Sequence, residues 1–231
     1  DAGDRFVAVG YWDGTIILSD ATTGAEVTRV ESGASPPQRI DVIDIESSGR
    51  IMGYGDEASL TIFDLESHAS LAVLELTGPV SSLWLSTAAR HACIGYQDGR
   101  VEIWDVQQRA KANTFHASTD SQPVTSIIGS DDANSLSYFK TLTADGWLRT
   151  WSADGEKTHE THLGSNVIAV SGGLKYFVTN LKDLNSGFVG DLPIQVASTL
   201  DDSREQREFN FVYDRSGPKC FAVDGFGNVV A

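Results

Sequence analysis

The chain has 231 residues, with 32 acidic and 17 basic side chains and a formal charge of −15 at pH 7. Such an acidic field repels phosphate backbones and anionic lipid, so neither nucleic acid nor membrane is expected, and a protein or peptide partner, basic or neutral, fits better. Two cysteines give no disulfide framework, and no apolar run approaches the ~20 residues that span a bilayer.

From the N-terminus, the apolar run Phe6-Val7-Ala8-Val9 leads into Gly10-Tyr11-Trp12-Asp13-Gly14, and Thr15-Ile16-Ile17-Leu18 follows. Asp-Gly between two such runs predicts a tight hairpin, because glycine tolerates positive φ and aspartate bonds nearby backbone amides. A third strand is expected at Glu26-Val27-Thr28-Arg29-Val30. The pattern then returns as Gly53-Tyr54-Gly55-Asp56, running on to Phe63-Asp64 and to a strand at Ser70-Leu71-Ala72-Val73-Leu74. Val80-Ser81-Ser82-Leu83-Trp84-Leu85 and Cys93-Ile94 precede the clearest copy, Gly95-Tyr96-Gln97-Asp98-Gly99-Arg100-Val101-Glu102-Ile103-Trp104-Asp105. Val124-Thr125-Ser126-Ile127-Ile128 precedes a weaker one, from Leu142 through Asp145-Gly146-Trp147 to Trp151-Ser152.

The phrases begin at residues 10, 53, 95 and 142, in steps of 43, 42 and 47. Short strands repeating at that period mean a propeller or a related array. Four antiparallel strands per period make one blade. The expected fold is therefore all-β, a β-propeller of four-stranded antiparallel blades with about five to six blades' worth of sequence. The blade-like units fall near 4–33, 40–77, 78–116, 122–163, 164–200 and 208–231, in one region covering 1–231. The first has three strands, the fifth is divergent, and the sixth starts with Phe209-Asn210-Phe211-Val212-Tyr213. Between them, Leu192-Pro193 reads as a turn and Asp201–Glu208 as a solvated loop. The chain opens and stops inside a blade, so an excerpt of a longer propeller is expected; a five-blade ring or an arc completed by another chain are the alternatives.

These phrases resemble the WD40 repeat family. Trp104-Asp105 and Trp151-Ser152 stand where that family carries Trp-Asp, and Phe63-Asp64 and Ser19-Asp20 are degenerate versions. The resemblance covers residues 4 to 163 well and the rest loosely. It implies a buried hydrogen-bonded tetrad in the fourth unit, made by His116 in a loop, Thr141 and Trp151 in strands, and Asp145 in the turn. It also implies that the Asp-Gly turns share one rim with the loops preceding each first strand, a face on which partners dock.

Catalytic and cofactor signatures are lacking. His159-Glu160-Thr161-His162 puts two histidines on opposite faces of a strand, unsuited to shared metal ligation. Neither nucleotide-binding glycine motif occurs, nor a nucleophile elbow or a calcium loop. No enzyme activity and no cofactor are expected. The aromatic residues carry more. Tyr11, Tyr54 and Tyr96 share one slot in three units, which suggests packing between blades first and partner contact second. Trp12 lies within a turn and Trp147 just beyond one; both are candidate rim anchors of the kind that dominate interface hot spots. The sequence thus reads as a non-catalytic interaction scaffold within a multiprotein complex, intracellular, in cytoplasm or nucleus. The alternative is a regulatory or ligand-sensing propeller region of a larger enzyme or signalling protein.

Overall fold

Apolar runs broken by Asp, Gly and Ser turns fold into strands and little else. The computed structural model describes residues 5–31, 39–132, 135–163, 167–170, 176–180, 190–198, 207–213, 222–223 and 229–230. The first sheet holds β1 (Phe6–Gly10), β2 (Thr15–Asp20) and β3 (Glu26–Glu31). The second holds β4 (Val42–Ile45), β5 (Ile51–Gly55), β6 (Ser59–Asp64) and β7 (Ala69–Glu75). The third holds β8 (Val80–Leu85), β9 (His91–Tyr96), β10 (Arg100–Asp105) and β11 (Ala110–His116). The fourth holds β12 (Val124–Asp132), β13 (Ser135–Thr143), β14 (Trp147–Ser152) and β15 (Lys157–His162). The fifth holds β16 (Val167–Val170), β17 (Tyr176–Asn180), β18 (Gly190–Ser198) and β19 (Arg207–Tyr213), and β20 (Ala222–Val223) pairs with β21 (Val229–Val230). Within each sheet the strands lie in chain order, as antiparallel meanders. Among the described residues the one helical segment is a 3-10 turn, Thr87–Ala89.

The first sheet has three strands and the next three have four each. The fifth departs from expectation. Residues 209–213, expected to open a sixth unit, belong to β19 and pair with β18. Leu192-Pro193 lies inside β18 and is no turn. Pro193 opposes Asn210 on β19, whereas the β17 pairing ends at Ile194. Its missing N–H therefore costs the ladder nothing on that side. Of the stretch 201–208 expected as a loop, Arg207 and Glu208 begin β19 and pair with Val196 and Gln195, and 201–206 lies outside the described residues.

The chain divides into two compact units, Asp1–Thr143 with Arg149–Glu160, and Ala144–Leu148 with Thr161–Ala231. In the first unit the apolar cores lie between successive sheets. Ile16, Leu18 and Val30 of the first sheet meet Met52 and Tyr54 of the second. Leu60, Ile62 and Leu74 of the second meet Ile94, Tyr96 and Trp104 of the third. Val101 and Ile103 of the third meet Phe139 and Trp151 of the fourth. The second and third sheets are thus covered on both faces, which is why β5 and β9 read as near-continuous apolar runs. Close approach needs small residues: a Cβ on Gly129 of β12 would collide with the Trp84 ring of β8.

Successive sheets of this unit run in phase. At one end, the Ser81 and Ser82 hydroxyls of β8 both donate to the Val124 carbonyl of β12 at 2.8 Å. At the other, the Leu85 N–H of β8 donates to Asp44 Oδ2 of β4 at 2.7 Å, and the Ser47 and Thr87 hydroxyls lie 3.4 Å apart. In the first three sheets two recurring aspartates mark the two ends. Asp13, Asp56 and Asp98 accept from the amides of Thr15, Ala58 and Arg100 at 2.8 to 3.0 Å, shaping the first hairpin. Asp20, Asp64 and Asp105 accept from Thr23, Ser67 and Gln108 at 2.8 to 3.0 Å, shaping the turn after the next strand. Ser67 first and then Arg50 hold the Asp64 carboxyl down at about 2.

Candidate functional site

The first hairpin turn sits at the end of the sheets where the Asp13, Asp56 and Asp98 turns gather. Its Tyr11 N–H donates to the Thr15 carbonyl at 2.8 Å, and Gly14, at φ +79°, returns an N–H to the Tyr11 carbonyl at 3.1 Å. This tight closure throws the Trp12 ring outward, where it is 77% exposed. The Arg39 guanidinium lies over that ring, 4.5 Å from its centroid, and also pairs with Asp41. One face of the indole is thus supported and the rest meets solvent.

The three tyrosines of the shared slot part company. Tyr11 is 45% exposed, but Tyr54 is buried beneath the first sheet and Tyr96 beneath the second. Tyr54 and Tyr96 therefore present no surface to a partner, because the neighbouring sheet already covers them. Trp147 is half-buried, its ring 4.9 Å from that of His162, whose Nε2–H donates to the Asp145 carbonyl at 3.0 Å.

Of the residues assigned to a tetrad, two meet directly. The Trp151 Nε1–H donates to Thr141 Oγ1 at 2.9 Å, both groups are buried, and Phe115 of β11 packs on the indole at 4.5 Å. His116 does not join them. It ends β11 opposite Arg100 and is exposed, since strand alternation turns Phe115 inward and His116 outward. The loop that follows is organised by Ser118, buried, whose Oγ accepts from the amides of Asp120 and Gln122 at 3.2 and 3.1 Å.

Sequence reasoning missed a buried polar site in β10. Glu102, in the middle of β10, has no exposed surface. Its carboxylate accepts from Arg100 at 2.6 Å, Lys111 at 2.7 Å, the Tyr96 hydroxyl at 2.7 Å and the Trp104 Nε1–H at 2.9 Å. Burial pushes this carboxyl up, but Lys111, Tyr96 and Trp104 together outweigh it and hold it below the ordinary glutamate value. For Tyr96, burial and the adjacent carboxylate push the hydroxyl upward. Arg100 stacks on the Tyr96 ring at 3.9 Å and donates to the Thr77 carbonyl at 2.7 Å, tying the β9–β10 turn to the connection after β7. A charged residue between Val101 and Ile103 in an apolar strand was the available signal.

Among the described residues of the first three sheets, Arg39 and Arg100 are the cations at the Trp12 end, and both are engaged. Glu31, Glu57, Glu75 and Asp98 are exposed there. No protein-family model matches this chain, and no curated protein matches it. Among the described residues no helix is long and apolar enough to cross a membrane.

Proposed function

We propose that this chain is a WD40-type propeller region acting as a non-catalytic scaffold, and that it docks a protein or peptide partner on the rim that carries Trp12. The observation behind this reading is Trp12 itself, a large aromatic ring held out of a rigid hairpin turn with Arg39 braced against one face. Tryptophan and arginine are the residues that most often anchor interfaces, and a preformed turn binds with little loss of conformational entropy. The in-phase antiparallel sheets, with cores between neighbours, suit a propeller. The acidic side chains around the rim favour a partner with basic character.

Affinity capture from host lysate with the wild-type chain beside Trp12→Ala, read by mass spectrometry, tests the proposal. A stoichiometric partner that Trp12→Ala loses supports docking at this rim. The same partner held equally by both chains removes Trp12 from the site.

A further inference from the structure

The outer strands of the first four sheets differ in how they treat their open edge. β3 carries the Glu26–Arg29 ion pair, β15 pairs Lys157 with Glu160, and on β11 Asn113 Oδ1 accepts from the Thr114 amide at 2.7 Å. β7 carries no charge from Ala69 to Leu74, and its Leu71 and Val73 side chains are 44% and 50% exposed. In the β6–β7 ladder the Leu76 N–H donates to the Ala58 carbonyl at 2.8 Å, whereas Thr61 with Val73 and Ser59 with Glu75 form the alternate pairs. The N–H and C=O groups of Val73 and Glu75 therefore point away from β6, as an edge open to another strand. Beside them the edge is closed. Arg109, in the β10–β11 turn of the third sheet, donates through Nη2 to the Leu71 carbonyl at 3.2 Å. Four residues after Asp20, Asp64 and Asp105 stand Gly24, His68 and Arg109, all at positive φ, +71°, +53° and +52°. Arginine is a costly choice there, since an L side chain is strained where glycine is free.

We propose that β7 is a strand-pairing edge for a second copy of this chain, and that Arg109 is the latch that keeps it shut. Antiparallel pairing of two β7 strands about Ala72 sets Leu71 opposite Val73 of the second copy and Glu75 opposite its Ala69. Apolar side chains then meet and no like charges face one another, as a two-fold strand pair needs. In that register the Leu71 carbonyl is the acceptor for the incoming Val73 N–H, and it is the group that Arg109 holds. The inference stands apart from docking at Trp12.

R109G removes the latch and its strain together, and glycine already fills this turn position at Gly24. The comparison is made at physiological salt, where repulsion between acidic chains is screened beyond ~8 Å. Sedimentation velocity across a concentration series should show R109G dimerising with a dissociation constant roughly tenfold or more below that of wild type. Hydrogen exchange should show new protection at the Val73 amide in the R109G dimer. Adding V73K, at an exposed position, should return R109G to the wild-type level, because a lysine blunts an edge strand. R109G is one charge more negative than wild type, so general electrostatics predicts weaker association, the opposite of the latch. An R109G chain no more dimeric than wild type overturns the inference, and so does a dimer that survives V73K.

Discussion

The third and fourth sheets face the same burial problem and solve it with different chemistry. Each buries a tryptophan near the end of its third strand, Trp104 and Trp151, and each indole N–H must find an acceptor. In the fourth sheet the acceptor is a neutral hydroxyl, Thr141 on the adjacent strand. In the third it is a carboxylate on the same strand, Glu102, which then needs Arg100, Lys111 and Tyr96 to offset its own desolvation. The neutral solution is local and replaceable. The ionic one binds three strands and an inter-sheet connection into a unit that fails together.

Removing the hub of the ionic solution should therefore have the largest effect. Glu102→Ala leaves a phenol and an indole N–H without their acceptor in the core, while the partly exposed Arg100 and Lys111 turn to solvent. Two unsatisfied buried donors at ~1–3 kcal/mol each, with lost packing added, give a loss of ~3–5 kcal/mol. Urea denaturation measures it. A loss under ~1 kcal/mol would mean that water replaces the carboxylate easily and that the contrast between the sheets is superficial.

Next comes the neutral solution. Trp151→Ala empties a site packed by Phe115 and should cost ~3–5 kcal/mol, while Trp12→Ala, at the exposed rim, should stay within ~0.5 kcal/mol. Equal shifts in melting temperature for these two variants would contradict the assignment of one tryptophan to core and the other to rim. Smaller again, Thr141→Val keeps the shape but strips the acceptor, leaving the Trp151 N–H unpaired at a cost of ~1–3 kcal/mol. A wild-type denaturation curve for Thr141→Val would show that the hydroxyl is dispensable.

Much of this architecture was legible in the residues and some was not. The Asp-Gly turns and the period near 43 placed the strands of four sheets, because turn chemistry is local. The contact of Trp151 with Thr141 was implied by the resemblance to the WD40 repeat, not by spacing, and the two do meet. His116 was expected in a loop, but β11 runs on to include it, and strand alternation there turns it outward beside the inward Phe115. Tyr54 and Tyr96 could not be separated from Tyr11 by pattern, since what differs is the neighbouring sheet that covers them. Glu102 was overlooked because alternation in β10 reads as a half-exposed strand, and only three-dimensional packing shows that its polar face is also covered. Pro193 read as a turn because the end of β17, which lets a proline sit in β18, is not written near it.

The junctions between sheets repeat the contrast on a finer scale. Between β8 and β12 neutral hydroxyls of Ser81 and Ser82 do the joining; between β4 and β8 it is the ionisable Asp44. Burial raises the Asp44 carboxyl to about 6, against the pull of the Leu85 amide. A carboxyl raised in the folded state stays protonated there while the unfolded chain has already lost its proton. From about pH 4 to about 6, then, unfolding releases a proton, and the Asp44 contribution to stability falls as pH rises. Glu102 and Glu46, held low, act in the opposite sense and lose their contribution on acidification. Asp44→Asn keeps an oxygen that accepts from Leu85 and removes the charge. The variant should therefore gain on wild type between pH 4.5 and pH 7, with the advantage growing as pH rises and levelling above pH 6. Urea midpoints at three pH values measure this. A difference that stays constant across the range would mean that Asp44 titrates normally, and that this junction is as indifferent to protons as the serine one.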